Sequence, residues 1–275
     1  MPAPSPAAVV HRHHVTQLGP PDAPALVFAH GFGSDQDMWR DVALRFAEDH
    51  RVVLFDHVGA GRSDHAAYDA ERYASLDGYA EDLLEICEAL DLRDAVVVGH
   101  SVGAMVAVAA AVRDASRIGQ LVLVAPSPRY VDDPGTGYVG GFSREDVDEL
   151  LESLDSNYFA WAAMMAPVVM GRPDAPHLGE ALTASFCRLD PDVARDFAQV
   201  TFLSDSRDLL PRVSVPTVVL QCEQDALAPR AVGEHVRRTV PHGTLVQLRA
   251  AGHCPHVSAP EETAAAIRHH LLGAS

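Results

Sequence analysis

Three residues have the types, order and surroundings that acyl-transfer chemistry demands: Ser101, Asp225 and His253, set 124 and 28 positions apart. A serine hydroxyl is a weak nucleophile near neutral pH, so a base must take its proton as it attacks a carbonyl. His253 offers the imidazole, and Asp225 would hold that ring in the tautomer whose lone pair faces the serine. Ser101 stands at the centre of Gly99-His100-Ser101-Val102-Gly103. Residues 95–98 ahead of it read as buried strand, and the alanine-rich run 104–111 behind it reads as helix. Strand, sharp turn and helix is the context in which G-x-S-x-G lifts a serine to the mouth of a sheet. Such a turn strains the backbone at Ser101, and its glycines admit close neighbours. The oxyanion formed on attack needs preorganised donors. The amide of Val102 is one, and that of Phe32, in the loop His30-Gly31-Phe32-Gly33, is the other. Asp225 has an alternative role as a cap for the next helix, and Glu223 is then the nearest spare carboxylate. His256, close to the candidate base, reads as bonding only locally.

Each of these residues needs a strand to carry it. Residues 25–29 run straight into His30, 216–222 end at Glu223-Gln224-Asp225, and 244–248 lead to Gly252-His253-Cys254. Further buried strands read at 51–55 and 120–125. A weaker first strand reads at 9–17, carrying His11, His13 and His14. Alternate strand residues face opposite sides, so these histidines suit a solvated edge better than a metal site. Helical spacing covers 35–49 and 75–90, the latter capped by Ser75. The alternation predicts an α/β fold with a mainly parallel sheet, covered by helices on both faces. The glycine-rich loop 59–64 lacks the lysine of a phosphate loop and has Asp64 where a dinucleotide fingerprint needs its third glycine. It reads as structural.

The rhythm breaks at Pro126. From there to Asp208 only helices read: 143–154 with Ser143 capped in return by Asp146, then 157–170, 176–188 and 191–203. This arrangement predicts core at 1–125, a four-helix lid at 126–208 and core again at 209–275. Of the lid's aromatics and methionines, Tyr158, Trp161, Met164, Met165, Phe186 and Phe202, most should pack helix on helix and a few should line an apolar pocket.

Composition narrows the partners. At 275 residues, 48% of them hydrophobic, the chain holds one large domain with an insertion. The formal charge of −17 repels nucleic acid and anionic membranes. No apolar stretch approaches the ~20 residues that span a bilayer. The N-terminus lacks the basic start of a signal peptide, and its prolines suggest a loose tail. Cys87, Cys187, Cys222 and Cys254 are scattered as reduced thiols would be, which predicts a cytoplasmic protein without disulfides. The mechanism requires neither a metal nor a cofactor.

Several segments together resemble one subgroup of the α/β-hydrolases: bacterial stress-response regulators of the RsbQ type and the plant karrikin and strigolactone receptors. They include His30-Gly31-Phe32-Gly33-Ser34-Asp35-Gln36, Asp56-His57-Val58-Gly59-Ala60-Gly61 and the serine pentapeptide. Within the lid they include Ser127-Pro128-Arg129-Tyr130, Gly140-Gly141-Phe142, Asn157-Tyr158 and Phe202-Leu203-Ser204-Asp205, and near the end Gly252-His253-Cys254-Pro255-His256. Pro126, Phe186-Cys187 and Cys254 bring the resemblance closer to the bacterial branch. The resemblance implies an α/β-hydrolase fold with a V-shaped four-helix lid over a small hydrophobic pocket. It implies slow hydrolysis of a small ester or butenolide-like lactone, in bacterial stress signalling with a sensor phosphatase as partner. It carries pocket roles to Phe32, His100, Val102, Trp161 and Phe202. Met165 stands where the plant pattern favours an aromatic. The alternative function it implies is a ligand-binding module that signals through lid movement. Dehalogenases and epoxide hydrolases of this fold use an aspartate nucleophile, and Ser101 argues against both.

Overall fold

Runs of β-branched residues build the centre of the molecule. In the computed structural model, which describes residues 4–271, seven strands form one sheet: β1 Thr16–Leu18, β2 Ala25–Ala29, β3 Arg51–Leu54, β4 Ala95–His100, β5 Ile118–Val124, β6 Thr217–Gln221 and β7 Gly243–Gln247. Their order is β1-β3-β2-β4-β5-β6-β7. β1 is antiparallel to β3, and every other pairing is parallel. The central strands are buried on both faces, which is why they read as unbroken apolar runs rather than alternating ones.

Helices cover both faces. Leu76–Ala89 and Val102–Arg113 bury Leu83, Ile86, Met105 and Val108 against one side. Trp39, Val42, Phe46 and Ile267 cover the other. Burying a side chain of this size contributes roughly 1.5–3 kcal/mol relative to leaving it exposed. The α/β class expected from the sequence is the class observed. Among the described residues, no helix is long and apolar enough to cross a membrane, and Cys87, Cys187, Cys222 and Cys254 are all free thiols.

The first segment departs from expectation. Instead of a strand from residue 9, there is a helix, Pro6–Arg12, with Ser5 as its cap and Pro6 in its first turn. Only Thr16–Leu18 reaches the sheet. His11 is exposed, whereas His13 is fully buried. His13 lies near Asp82 and Glu85, the one grouping among the described residues with metal-ligand spacing. Those carboxylates already have partners: Arg72 donates to Asp82 Oδ1 at 2.6 Å, Tyr73 donates to Oδ2 at 2.8 Å, and Arg12 pairs with Glu85. The cluster fastens the first helix to Leu76–Ala89. The helix expected at 35–49 is also broken up, into a 3-10 turn Gln36–Trp39 and a short helix Arg40–Ala43, followed by turns.

Between β5 and β6 the described chain forms four helices, Arg144–Ser156, Tyr158–Met170, Pro176–Phe186 and Pro191–Leu203. Ser143 and Asp146 form the reciprocal cap read from the sequence. Phe32, from the loop after β2, inserts among four rings of this insertion: Trp161 at 6.0 Å, Phe186 at 5.8 Å, Phe197 at 5.7 Å and Phe202 at 6.3 Å between centroids.

The close approach that the serine turn requires is visible at its glycines. A Cβ on Gly103 would sit 2.4 Å from the His30 carbonyl oxygen and 2.8 Å from that of Ala29. Neither backbone atom can retreat without moving β2. Gly103→Ala should therefore cost about 1–3 kcal/mol, lowering the thermal midpoint by roughly 2–10 °C. An unchanged melting curve would mean that the turn relaxes freely.

Candidate active site

β4 ends at His100, and the chain reverses at once into the helix Val102–Arg113. Ser101 caps that helix with φ +55° and ψ −122°, a strained conformation for a residue with a Cβ. Its N–H donates to the Val124 carbonyl at 2.9 Å, tying the turn to β5. Strain of about 1–3 kcal/mol is typical of such positions and persists where the surroundings over-determine the backbone.

His253 lies after β7. Its Nδ1–H donates to Asp225, at 2.8 Å from Oδ2 and 3.0 Å from Oδ1, because a carboxylate can only accept. Nε2 therefore carries the lone pair, and the Ser101 hydroxyl donates to it at 2.8 Å. Asp225 Oδ1 also accepts the amides of Leu227 at 2.8 Å and Ala228 at 3.0 Å. The capping role and the role toward the histidine thus coexist in one carboxylate. Glu223 is exposed. Val102 opens its helix, so its N–H precedes any intrahelical acceptor, as an oxyanion donor must.

A narrow cavity of about 30 Å³ lies at this point, room for roughly two waters. Of the expected pocket residues, Phe32, His100, Trp161, Met165 and Phe202 line it. Val102 does not. Its side chain packs into the hydrophobic core instead. His100 also donates from Nε2 to the His253 carbonyl at 2.9 Å. His256 does not form the local bond expected of it, since neither ring nitrogen has a partner. The ring lies instead tilted between Trp39 and His100, 4.3 Å from each centroid.

Tyr130, part of the segment Ser127-Pro128-Arg129-Tyr130 but given no role in the sequence reading, also lies at the site. Its hydroxyl is 3.3 Å from Ser101 Oγ and its ring 4.9 Å from that of Phe202. Burial holds the phenol well above its ordinary range, so it stays protonated. Its position shortly beyond the end of β5 was the available signal, because Phe32, Ser101 and Asp225 also follow the carboxyl ends of strands.

Two buried imidazoles, His256 near the site and His13 at the first helix, are neutral. Burial, with His253 and His30 adding to it, lowers His256 to about 3. Burial and Arg12 lower His13 to about 4. Each folded-state value lies below the unfolded ~6.5, so the unfolded chain binds more protons between those limits. Stability is accordingly full above pH ~6.5 and falls as pH drops toward 4, by about 1.4 kcal/mol per pH unit for each such group. Urea melts should show a clearly lower midpoint at pH 5 than at pH 7.5. Equal midpoints would mean that these rings are solvated.

Known proteins share both the sequence pattern and the architecture. A model of the "Alpha/beta hydrolase family" matches residues 26–266. The chain is 36% identical to the karrikin insensitive 2 receptor CA of Petunia hybrida, covering 96% of this chain and 97% of that one. It is 35% identical to a strigolactone esterase of Arabidopsis thaliana, covering 90% and 91% respectively. Among solved structures, a hydrolase from Oleispira antarctica superposes with a TM-score of 0.94 at 38% identity, covering 97% of each chain.

Proposed function

The chain belongs to the alpha/beta hydrolase family as a serine hydrolase of the esterase kind, and we propose that it cleaves a small hydrophobic ester or lactone through Ser101. The observation that carries this reading is the relay Asp225–His253–Ser101, with spacings of 2.8 Å at both joints, opening on an apolar cavity. Ser101 Oγ attacks the carbonyl carbon while its proton passes to His253 Nε2. Asp225 stabilises the imidazolium that forms. The carbonyl oxygen becomes an oxyanion held by the amides of Phe32 and Val102. Collapse breaks the ester bond, and His253 returns its proton to the departing alkoxide, which in a lactone stays tethered to the acyl group. Water, deprotonated by His253, then releases the acid and restores Ser101. These steps require neither a metal nor a cofactor.

The apolar walls favour small uncharged substrates, and the net charge of −17 disfavours anionic ones. The resemblance to the karrikin and strigolactone receptors narrows the class to butenolide-like lactones and short esters. We read residues 126–208 as a lid on a core formed by 1–125 and 209–275. With about 30 Å³ free, an ester reaches Ser101 only when lid side chains move aside. That closure favours one further reading, ligand capture signalled through the lid. Its output would be bacterial stress signalling of the RsbQ kind through a sensor phosphatase, a role that rests on the resemblance of the lid segments. Three buried free thiols suit a cytoplasmic setting.

The test is a panel of p-nitrophenyl esters from acetate to octanoate together with a fluorogenic butenolide. The butenolide and the shortest esters should turn over many times. If none is cleaved, the esterase reading fails. A single burst that leaves a lasting adduct would select the sensing role over turnover.

A further inference from the structure

One helix both walls the cavity and touches the backbone of the proposed base. Trp161, Met165 and Val169 of Tyr158–Met170 line the cavity. At its C-terminal end, where helix carbonyls have no intrahelical donors, the Val169 carbonyl accepts the N–H of His253 at 2.8 Å. The other side of the same residue is held too, since His100 donates to the His253 carbonyl. The contact is close-packed. Gly171 ends the helix at φ +61°, and a Cβ there would lie 2.7 Å from Gly252 Cα and 3.0 Å from Gly252 N. A Cβ on Gly252, itself at φ +89°, would lie 1.9 Å from the Met170 carbonyl oxygen. Arg172 adds a bond from Nη1 to the Ser258 carbonyl at 3.1 Å.

We propose that the C-terminal end of this helix is a positioning device for His253, so that the base meets Ser101 only while the helix is seated on the Gly252–His253 backbone. The inference rests on the esterase reading above. Its consequence is that whatever displaces the cavity wall on Trp161 and Met165 also disengages the base. Gly171 is then a positioning residue whose missing side chain permits the contact. Because a 1 Å misplacement of a reacting group can cost about 10²-fold, lifting the helix end should lower kcat far more than it alters KM.

Gly171→Ala tests this against Gly137→Ala. Gly137 has a similar φ of +71° but nothing within 4 Å of its Cβ position. Both variants carry comparable left-handed strain, so Gly137→Ala reports the cost of the strain alone and Gly171→Ala adds the clash with the Gly252 backbone, with a correspondingly larger loss of stability. Only Gly171→Ala should lose about 10²-fold in kcat and in single-turnover acylation, with KM within about threefold. Gly171→Asn relieves the left-handed strain while keeping the clash, so it should show the same kinetic loss. Retained kcat in either folded Gly171 variant overturns the proposal. If neither folds, hydrogen exchange of the wild type decides: the His253 amide should exchange with the same protection as the amides of Val169 and Met170. Exchange of His253 about tenfold faster than theirs would overturn the coupling, since the bond would then open without the helix. Wild-type protein that cleaves no ester and leaves Ser101 unlabelled by a fluorophosphonate would defeat the esterase reading instead, and the exchange arm would still report on the helix.

Discussion

Ser101→Ala lowers ester turnover by at least about 10⁴-fold and leaves the fold intact. The rate loss follows because the Ser101 hydroxyl is the group that donates to the His253 ring, so its removal leaves the base with no proton to take from a nucleophile. The amides of Phe32 and Val102, proposed above as oxyanion donors, belong to the backbone and survive the substitution, so a small residual rate above that of water should remain. The stability cost is modest. Alanine tolerates the turn's φ no better than serine, so strain is unchanged. The substitution removes the hydroxyl that donates to His253 Nε2 and that lies 3.3 Å from the Tyr130 hydroxyl. Leaving such groups unpartnered costs about 1–3 kcal/mol. A variant that keeps roughly a tenth of wild-type kcat, far above the residual rate of a triad without its serine, would show that Ser101 is not the nucleophile.

Asp225→Asn should be nearly as damaging, about 10⁴-fold in kcat, although it is isosteric. The local hydrogen bonds dictate which way the new amide faces. Oδ1 accepts two backbone amides, Leu227 and Ala228, and an asparagine must keep its oxygen there to satisfy them. Its NH₂ group is thereby turned toward His253 Nδ1, where the carboxylate Oδ2 now accepts at 2.8 Å. A donor in that place forces the proton onto Nε2, so the imidazole presents N–H rather than a lone pair to Ser101. Melting should change little, whereas steady-state kinetics should collapse. Glu223→Gln, on an exposed neighbour that does not hold His253, should leave kcat within about twofold, the range of ordinary surface changes. Equal losses in the two variants would mean that the acidic partner is misassigned.

Much of this was legible in the sequence because the chemistry imposes local rules. The serine pentapeptide needs glycines where neighbouring backbone passes within 3 Å of a Cβ position, and both Gly99 and Gly103 show that crowding. Doubly buried parallel strands carry continuous apolar runs, so β2 through β6 were readable within a residue or two. Cap chemistry at Ser75 and Ser143 placed two helix starts correctly. Cap chemistry was also the signal overlooked at Ser5. β-Branched residues after it suggested a strand, but a serine followed by proline at the first helical position starts a helix, and Val9 is buried by tertiary packing. The helix expected from residue 35 was cut short by tertiary demands. Asp56 accepts the Gln36 amide at 2.8 Å, while Asp35 accepts from Arg188 at 2.7 Å. Both are long-range ties that no window of sequence displays. The cavity was the least legible part. Val102 was expected in its wall and faces the core, while Tyr130 and Thr201, which do line it, come from segments far apart in the chain. Which face of a helix meets a pocket depends on how four helices cross, and periodicity within one helix does not reveal that.

The most direct test of Ser101 as nucleophile is rapid-quench mass spectrometry of wild-type protein mixed with p-nitrophenyl acetate. Acid quenching within milliseconds should trap a single acetyl group on the protein, and peptide mapping should place it on Ser101, rising and decaying at rates consistent with kcat. An acetyl group on another residue, or steady turnover of the ester with no acylated protein at any time, would contradict the triad mechanism.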